Sequence, residues 1–362
     1  MASARPPTKI LTFAKSLEGG GVERVMLRLV RGWVEAGQHV TLVLGSSRGS
    51  LGEELPRGVD LVELNGSQFG LVRALPAIVS RIAPDIVFVP GNHYTGTSVW
   101  TWAMLRRRCP IIVAKVSNRF DRDDQGFPLR QAYRFWLRIH PIFADHLVAM
   151  SPAMARETVA MTGIAEDRVS VIANPPNPGA AGSPSPSLPA SRYILGVGRL
   201  APQKRWDRLI AALPSIRDQD VQLMILGEGE SRSELEAQIA ALGLQDRVSL
   251  PGYSNNPRPA LEGAAALVLT SDYEGVPGVL REALAVGTPV IATDSSVAIR
   301  EIVTSASLGS VVPTDDPAAL ISALNHWLTP GQSRPDPVPE PGFDSVDRYL
   351  RLFEELILKR RG

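Results

Sequence analysis

Short apolar runs alternate with helical patterns along both halves of this 362-residue chain, and that alternation leaves few folds open. Strands separated by helices pair side by side in parallel, because each helix carries the chain back across the sheet before the next strand begins. The clearest copy is ALVLTSDYEGVPGVLREALAVGTPVIATD, residues 266–294. Ala266 to Thr270 is an apolar run, Ser271 to Gly275 a polar turn, Val279 to Val286 a helical pattern, and Val290 to Ala292 a second apolar run. Pro277 suits the first helical position, where its fixed φ is already helical and its missing N–H would be unpaired anyway. The helix therefore opens at the carboxyl end of a strand, with free N–H groups and a partial positive charge, which is a place for an anion.

Two carboxylates, Glu274 and Glu282, frame this turn. Each can accept two hydroxyl hydrogen bonds, so the pair suits a ligand with hydroxyls on both sides of its phosphates, as in a nucleotide sugar. The same residue types also fit a helix cap and a solvated surface position.

The first half begins with an expected strand at Lys9 to Ala14, then glycines, then a helix on which Val22, Val25, Met26, Leu29, Val30 and Trp33 share one face. Gly19, Gly20 and Gly21 are consecutive, so the G-x-G-x-x-G fingerprint is missing and no acidic residue ends the next strand, His39 to Leu44. This reads as a phosphate or sugar loop without a nicotinamide partner. Further strands are expected at Asp60 to Leu64, Pro84 to Pro90, His146 to Met150 and Val169 to Ile172, and helices at Leu71 to Ile82 and Pro152 to Met161. His93, in GNHYTG, follows the strand ending at Pro90.

Met104 to His140 holds nine Lys/Arg against three Asp, and Arg130, Arg134 and Arg138 recur every four residues beside Tyr133, Phe135, Trp136 and Leu137. A basic stripe beside aromatic surface fits contact with a phosphate-bearing lipid, and it also fits a core-packed helix with a solvated arginine face. Arg119 belongs to the same basic segment. Asp121-Arg122-Asp123 matches a D-x-D metal clamp only superficially, since the stretch before it is polar rather than an apolar strand. No other cluster has metal-ligand spacing, so neither a metal nor a cofactor is expected.

NPPNPGAAGSPSPSLPAS, residues 174–191, has almost nothing to bury and reads as a linker. The expected division is residues 1–178, a linker at 179–191, a second domain at 192–341 and a final helix at 342–362. In the second domain Tyr193 to Val197 is a strand, and Gly198, Arg199 and Lys204 lie in and just after the loop that follows. A guanidinium and an ammonium there can neutralise a diphosphate. Gly227 permits a tight turn after the next strand, and Tyr253 follows the strand beyond.

EGVPGVLREALAVGTPVIATD resembles the E-x7-E segment of the retaining glycosyltransferases of family 4, the large family that contains sucrose synthase and many bacterial polysaccharide enzymes. GGVERV at Gly20 to Val25, GR-L-x-x-Q-K around Arg199 and Lys204, and PGY at Tyr253 are similar to other loops of that family. The resemblance is strong over 193–303 and thin over 40–170. It implies a GT-B fold: α/β, two doubly wound Rossmann-like domains facing a central cleft, with the last helix returning to the first domain. It further implies that Glu282 binds ribose hydroxyls and Glu274 holds the transferred sugar. The N–H groups of Gly278 and Val279 would meet the sugar or diphosphate, Arg199 and Lys204 the departing diphosphate, Tyr253 the base, and His93 the donor sugar. Many members carry Gly where this chain has Pro277, which removes one possible N–H donor.

The expected reaction moves a sugar from a UDP- or GDP-linked donor to a hydroxyl of a saccharide or lipid-linked saccharide. A nucleotide-sugar 2-epimerase and a noncatalytic nucleotide-sugar-binding subunit are the alternatives. Charge is unevenly divided: residues 1–178 hold 21 Lys/Arg and 15 Asp/Glu, so the first half is the one to meet an anionic acceptor or membrane surface. The whole chain is nearly neutral, at +1, and carries no reader motif, which argues against nucleic acid. One cysteine, Cys109, fits a reducing compartment, and an opening segment without a long apolar core fits the cytoplasm.

Overall fold

The computed structural model describes residues 6–18, 20–49, 51–64, 66, 68–120, 126–177 and 185–362, with backbone alone for Gln68 and Phe127. The Asp121–Asp123 motif, Gly19 and the linker segment 178–184 lie outside the described residues. The chain divides into two compact units, one comprising residues 1–175 and 342–362, the other residues 176–341.

In the first unit β1 (Lys9–Ala14), β2 (His39–Leu44), β3 (Asp60–Glu63), β4 (Ile86–Val89), β5 (Ile111–Lys115), β6 (His146–Ala149) and β7 (Val169–Val171) form one sheet, in the order β3-β2-β1-β4-β5-β6-β7. All its pairings are parallel. Helices cover both faces, so the central strands are continuous apolar runs rather than alternations. The covering helices are α1 (Gly21–Glu35), α2 (Gln68–Ile82), α3 (Thr95–Leu105), α4 (Phe127–Leu137), α5 (His140–Phe143) and α6 (Pro152–Thr162). The Ser151 hydroxyl caps α6 by accepting the Met154 N–H at 3.3 Å, and Gly163, at φ +73°, ends it in the left-handed conformation.

The C-terminal helix, Ser345–Arg361, also packs in this unit. Its Tyr349 and Phe353 meet Trp33 of α1 and Phe88 of β4, with ring centroids 5.4 to 6.5 Å apart, and all four rings are buried. Each such pair contributes about 0.5–1.5 kcal/mol beyond the area it buries.

The second unit repeats the plan with β8 (Tyr193–Val197), β9 (Gln222–Leu226), β10 (Val248–Gly252), β11 (Ala266–Leu269), β12 (Val290–Thr293) and β13 (Gly309–Val312), ordered β10-β9-β8-β11-β12-β13 and again parallel throughout. Its helices are α7 (Trp206–Ala212), α8 (Arg232–Ala241), α9 (Arg258–Gly263), α10 (Gly278–Ala285), α11 (Ile299–Ile302) and α12 (Pro317–Trp327). In each sheet the strand order reverses once, between β1 and β4 and between β8 and β11. Ligands of open α/β sheets bind beyond the carboxyl ends of the strands at such a reversal.

The sequence reading differs from the structure in several elements. β5 lies inside the basic segment, where flanking arginines hide a five-residue run, and α3, α9 and β13 were likewise not anticipated. Pro277 stands just outside α10 as its N-cap: its ψ of 103° is extended, so the helix begins at Gly278.

Candidate active site

At the reversal of the second sheet the loops after β8 and β11 are tied together. The Thr270 hydroxyl donates to the Lys204 and Arg205 carbonyls at 3.0 and 2.9 Å, and the Gln203 amide donates to the Tyr273 carbonyl at 2.6 Å. The Asp272 N–H returns a bond to the Gln203 carbonyl at 2.9 Å. The indole N–H of Trp206, a fully buried residue, donates to the Arg199 carbonyl at 3.0 Å. The sequence anticipates these loops but not the threonine, tryptophan and glutamine that fasten them.

This frame brings Lys204 and Glu274 together. The Lys204 ammonium lies 2.6 Å from Glu274 Oε1, and the Ser271 hydroxyl donates to the same oxygen at 2.6 Å. Glu274 is buried and Lys204 largely so. Arg199, from the same loop, is exposed and makes no side-chain hydrogen bond or ion pair among the described residues. Glu282 lies half-buried in α10. The N–H groups of Gly278 and Val279 at the start of that helix have no hydrogen-bond partner among the described residues, and Gly278 is exposed. One cation committed to a carboxylate, one cation unengaged and two free N–H donors make a site able to receive an anion.

Gly198 and Gly227 shape the wall of this site. A Cβ on Gly227 would stand 1.9 Å from the Gly198 carbonyl oxygen, and Gly198 itself, at φ +157°, leaves room for the Lys204 stem. Backbone meets backbone, so neither side can move aside. Gly227→Ala is expected to destabilise the second unit by about 1–3 kcal/mol through overpacking. A lowered thermal midpoint for that unit would check it. Tyr253 follows β10 and is partly exposed.

At the reversal of the first sheet a second cluster gathers around Glu23 of the GGVERV stretch, a residue to which spacing alone assigns no role. The Tyr94 hydroxyl donates to the Glu23 carboxylate at 2.9 Å and accepts the Lys15 N–H at 3.1 Å. His93 Nε2 lies 3.4 Å from the same carboxylate, its ring tilted against Tyr94 at a centroid distance of 3.9 Å and half exposed. Burial alone would raise the Glu23 carboxyl, but hydrogen bonds from His93, its own N–H and Tyr94 outweigh it and hold the group below its ordinary value. A Cβ on Gly20 would stand 2.3 Å from the Glu23 carboxylate, whereas Gly21 faces open space. The opening of α1 thus already carries a negative charge, which favours sugar hydroxyls over phosphate at these glycines.

Arg119 is half-buried after β5. Of the arginines on and after α4, Arg134 and Arg138 are exposed and Arg130 is half-buried; Arg138 also reaches the Ala160 carbonyl at 3.5 Å. Beside them Phe135 and Leu129 are 71% and 59% exposed, a large apolar area for a helix otherwise anchored by buried Leu137. Among the described residues no group of acidic, histidine or cysteine side chains is placed to hold a metal, and no helix is long and apolar enough to cross a membrane.

Both units match families of one enzyme class. The model described as Glycosyl transferases group 1 matches residues 185–338, and that described as Glycosyltransferase Family 4 matches residues 19–178. With two parallel Rossmann-like sheets beneath these matches, the chain belongs to the group 1 glycosyltransferases of GT-B fold. It is 34% identical over 137 residues to the N-acetylgalactosamine-N,N'-diacetylbacillosaminyl-diphospho-undecaprenol 4-alpha-N-acetylgalactosaminyltransferase of Campylobacter jejuni, covering 38% of this chain and 37% of that one. It is 25% identical to the lipopolysaccharide core biosynthesis glycosyltransferase LpsD of Rhizobium meliloti, covering 94% of this chain and 97% of that one. Against the first four curated relatives the matches span 28% to 53% of the relative's length. The Anabaena protein HepE, crystallised with UDP-glucose, shares the fold with a TM-score of 0.71 at 19% identity, over 97% of this chain and 98% of that one.

Proposed function

We propose that the chain is a retaining, metal-independent glycosyltransferase that moves a sugar from a nucleotide diphosphate donor to a hydroxyl of a lipid-linked saccharide, in bacterial surface polysaccharide assembly. The observation that carries this reading is the Lys204–Glu274 pair beside Arg199 and the open start of α10. In the proposed complex the donor's diphosphate takes Arg199 and the N–H groups of Gly278 and Val279, and Lys204 shifts part of its charge from Glu274 to the leaving phosphate. Glu274 then accepts hydroxyls of the transferred sugar and Glu282 those of the ribose, with Tyr253 against the base. Preset cations stabilise charge that grows as the glycosidic bond breaks, and such stabilisation is worth several kcal/mol in an enclosed site. The leaving oxygen takes the proton of the attacking hydroxyl on the same face of the sugar, so no protein nucleophile enters. Within the first unit, His93 with Gly20 and Gly21 is assigned to sugar binding.

The names of the relatives support the setting: one acts on a diphospho-undecaprenol-linked saccharide and one in lipopolysaccharide core biosynthesis, and the HepE complex holds UDP-glucose. Incubating the purified protein with UDP- and GDP-linked sugars tests the reading. Transfer or slow donor hydrolysis supports it, isomerised donor points to an epimerase, and binding without turnover to a noncatalytic subunit.

Arg130, Arg134 and Arg138, with exposed Phe135 and Leu129, support a cytoplasmic enzyme that touches the anionic inner face of the membrane. Changing the three arginines to glutamine is expected to cut cosedimentation with phosphatidylglycerol vesicles several-fold at low salt. Unchanged cosedimentation would reject the membrane contact.

A further inference from the structure

Lys115 ends β5, one strand over from β4, whose following loop carries His93 and Tyr94. It is only 3% exposed, and its ammonium makes no hydrogen bond or ion pair among the described residues. The charge that acts on it is the carboxylate of Glu23, the same group that Tyr94 and His93 contact. A nearly buried ammonium with no protein acceptor among the described residues is costly, and an apolar side chain of equal length would fill the space without that cost. Burial accordingly pushes the Lys115 ammonium down to about 7.

We propose that Lys115 is an acceptor-binding residue, donating a hydrogen bond to a hydroxyl oxygen of the acceptor sugar in a site shared with Glu23. The proposal rests on the reading of the chain as a sugar transferase and assigns an acceptor-binding position within the first unit. Its ligand class follows from the two charges. A phosphate drawn to the ammonium would meet the Glu23 carboxylate, whereas a hydroxyl offers a lone pair to one and a proton to the other. No bond is made or broken at Lys115; its contribution is orientation.

The test uses the full chain, with Lys115→Met keeping the stem without its charge and Lys115→Arg restoring a cationic donor. Octyl glycosides of glucose, galactose, N-acetylglucosamine and N-acetylgalactosamine serve as probes. Saturation-transfer NMR reads their binding without a donor, and transfer kinetics read the acceptor KM. Lys115→Met is expected to lose the glycoside signal and raise the acceptor KM about ten-fold, the worth of one hydrogen bond to a charged group. Lys115→Arg should recover part of the loss, while the thermal shift caused by UDP stays as in the unaltered protein. Glycoside binding and KM unchanged in Lys115→Met, or no glycoside bound by the unaltered protein, would overturn the proposal. A protein that binds glycosides through Lys115 yet neither binds nor turns over any nucleotide sugar would instead overturn the transferase reading and leave Lys115 as a sugar-binding residue only.

Discussion

Replacing Lys204 by alanine is expected to lower donor turnover by about a thousandfold, the effect of removing one preset donor from a developing oxyanion. The same change should destabilise the second unit, because Glu274 is buried and Lys204 and Ser271 both donate to its Oε1. Breaking a buried pair from one side leaves a charge without its partner, at a cost of about 3–5 kcal/mol. Lys204 keeps 19% of its side chain exposed, so the low end of that range applies. The two effects separate in the double variant Lys204→Ala, Glu274→Gln. There the buried charge is gone and thermal stability should largely return, while turnover stays low. Donor consumption and thermal unfolding, measured on both single variants and the double, distinguish a ligand-binding cation from a structural one. Turnover within tenfold of the unaltered enzyme in Lys204→Ala would end the proposed role.

Much of this site was legible in the sequence because it is local. Glu274, the start of α10 and Glu282 lie within nine consecutive positions, and Gly198 to Lys204 within seven, so spacing alone sets strand, turn and helix. What joins the two loops is not local: Thr270 reaches back to Lys204 and Arg205, and Trp206 closes on Arg199, across a sheet order that spacing does not give. The first unit was harder to read. α3, TGTSVWTWAML, has no clear polar face to give a period, and β5 sits between arginines. Lys115 counted as one of nine cations in that segment, since a sequence gives charge but not depth. Glu23 likewise looked like an ordinary first-turn acid, and only the fold brings Tyr94 and His93 to it from 70 residues further along.

Depth is also what makes Lys115→Met the substitution of opposite sign, stabilising the first unit although it alters a buried position. Burial lowers this ammonium from 10.5 to about 7, while the unfolded chain keeps the ordinary value. Between those two pH values the unfolded state holds more protons, so folding stability rises with pH across the window. Below pH 7 both states are charged and the whole penalty is present; toward pH 10.5 it is relieved. At about 1.36 kcal/mol per pKa unit, the upper limit of the penalty is on the order of 5 kcal/mol. Methionine does not titrate, and every other group is common to both proteins and cancels in the comparison. The variant should therefore exceed the unaltered protein most at pH 6, with the gap narrowing by about 3 kcal/mol by pH 9. Urea unfolding at the two pH values measures it, and a gap that does not change with pH would show that the ammonium is not desolvated in the fold. Stability gained where acceptor binding is lost is the expected signature of a group held for a ligand, because a purely structural lysine would lose both together.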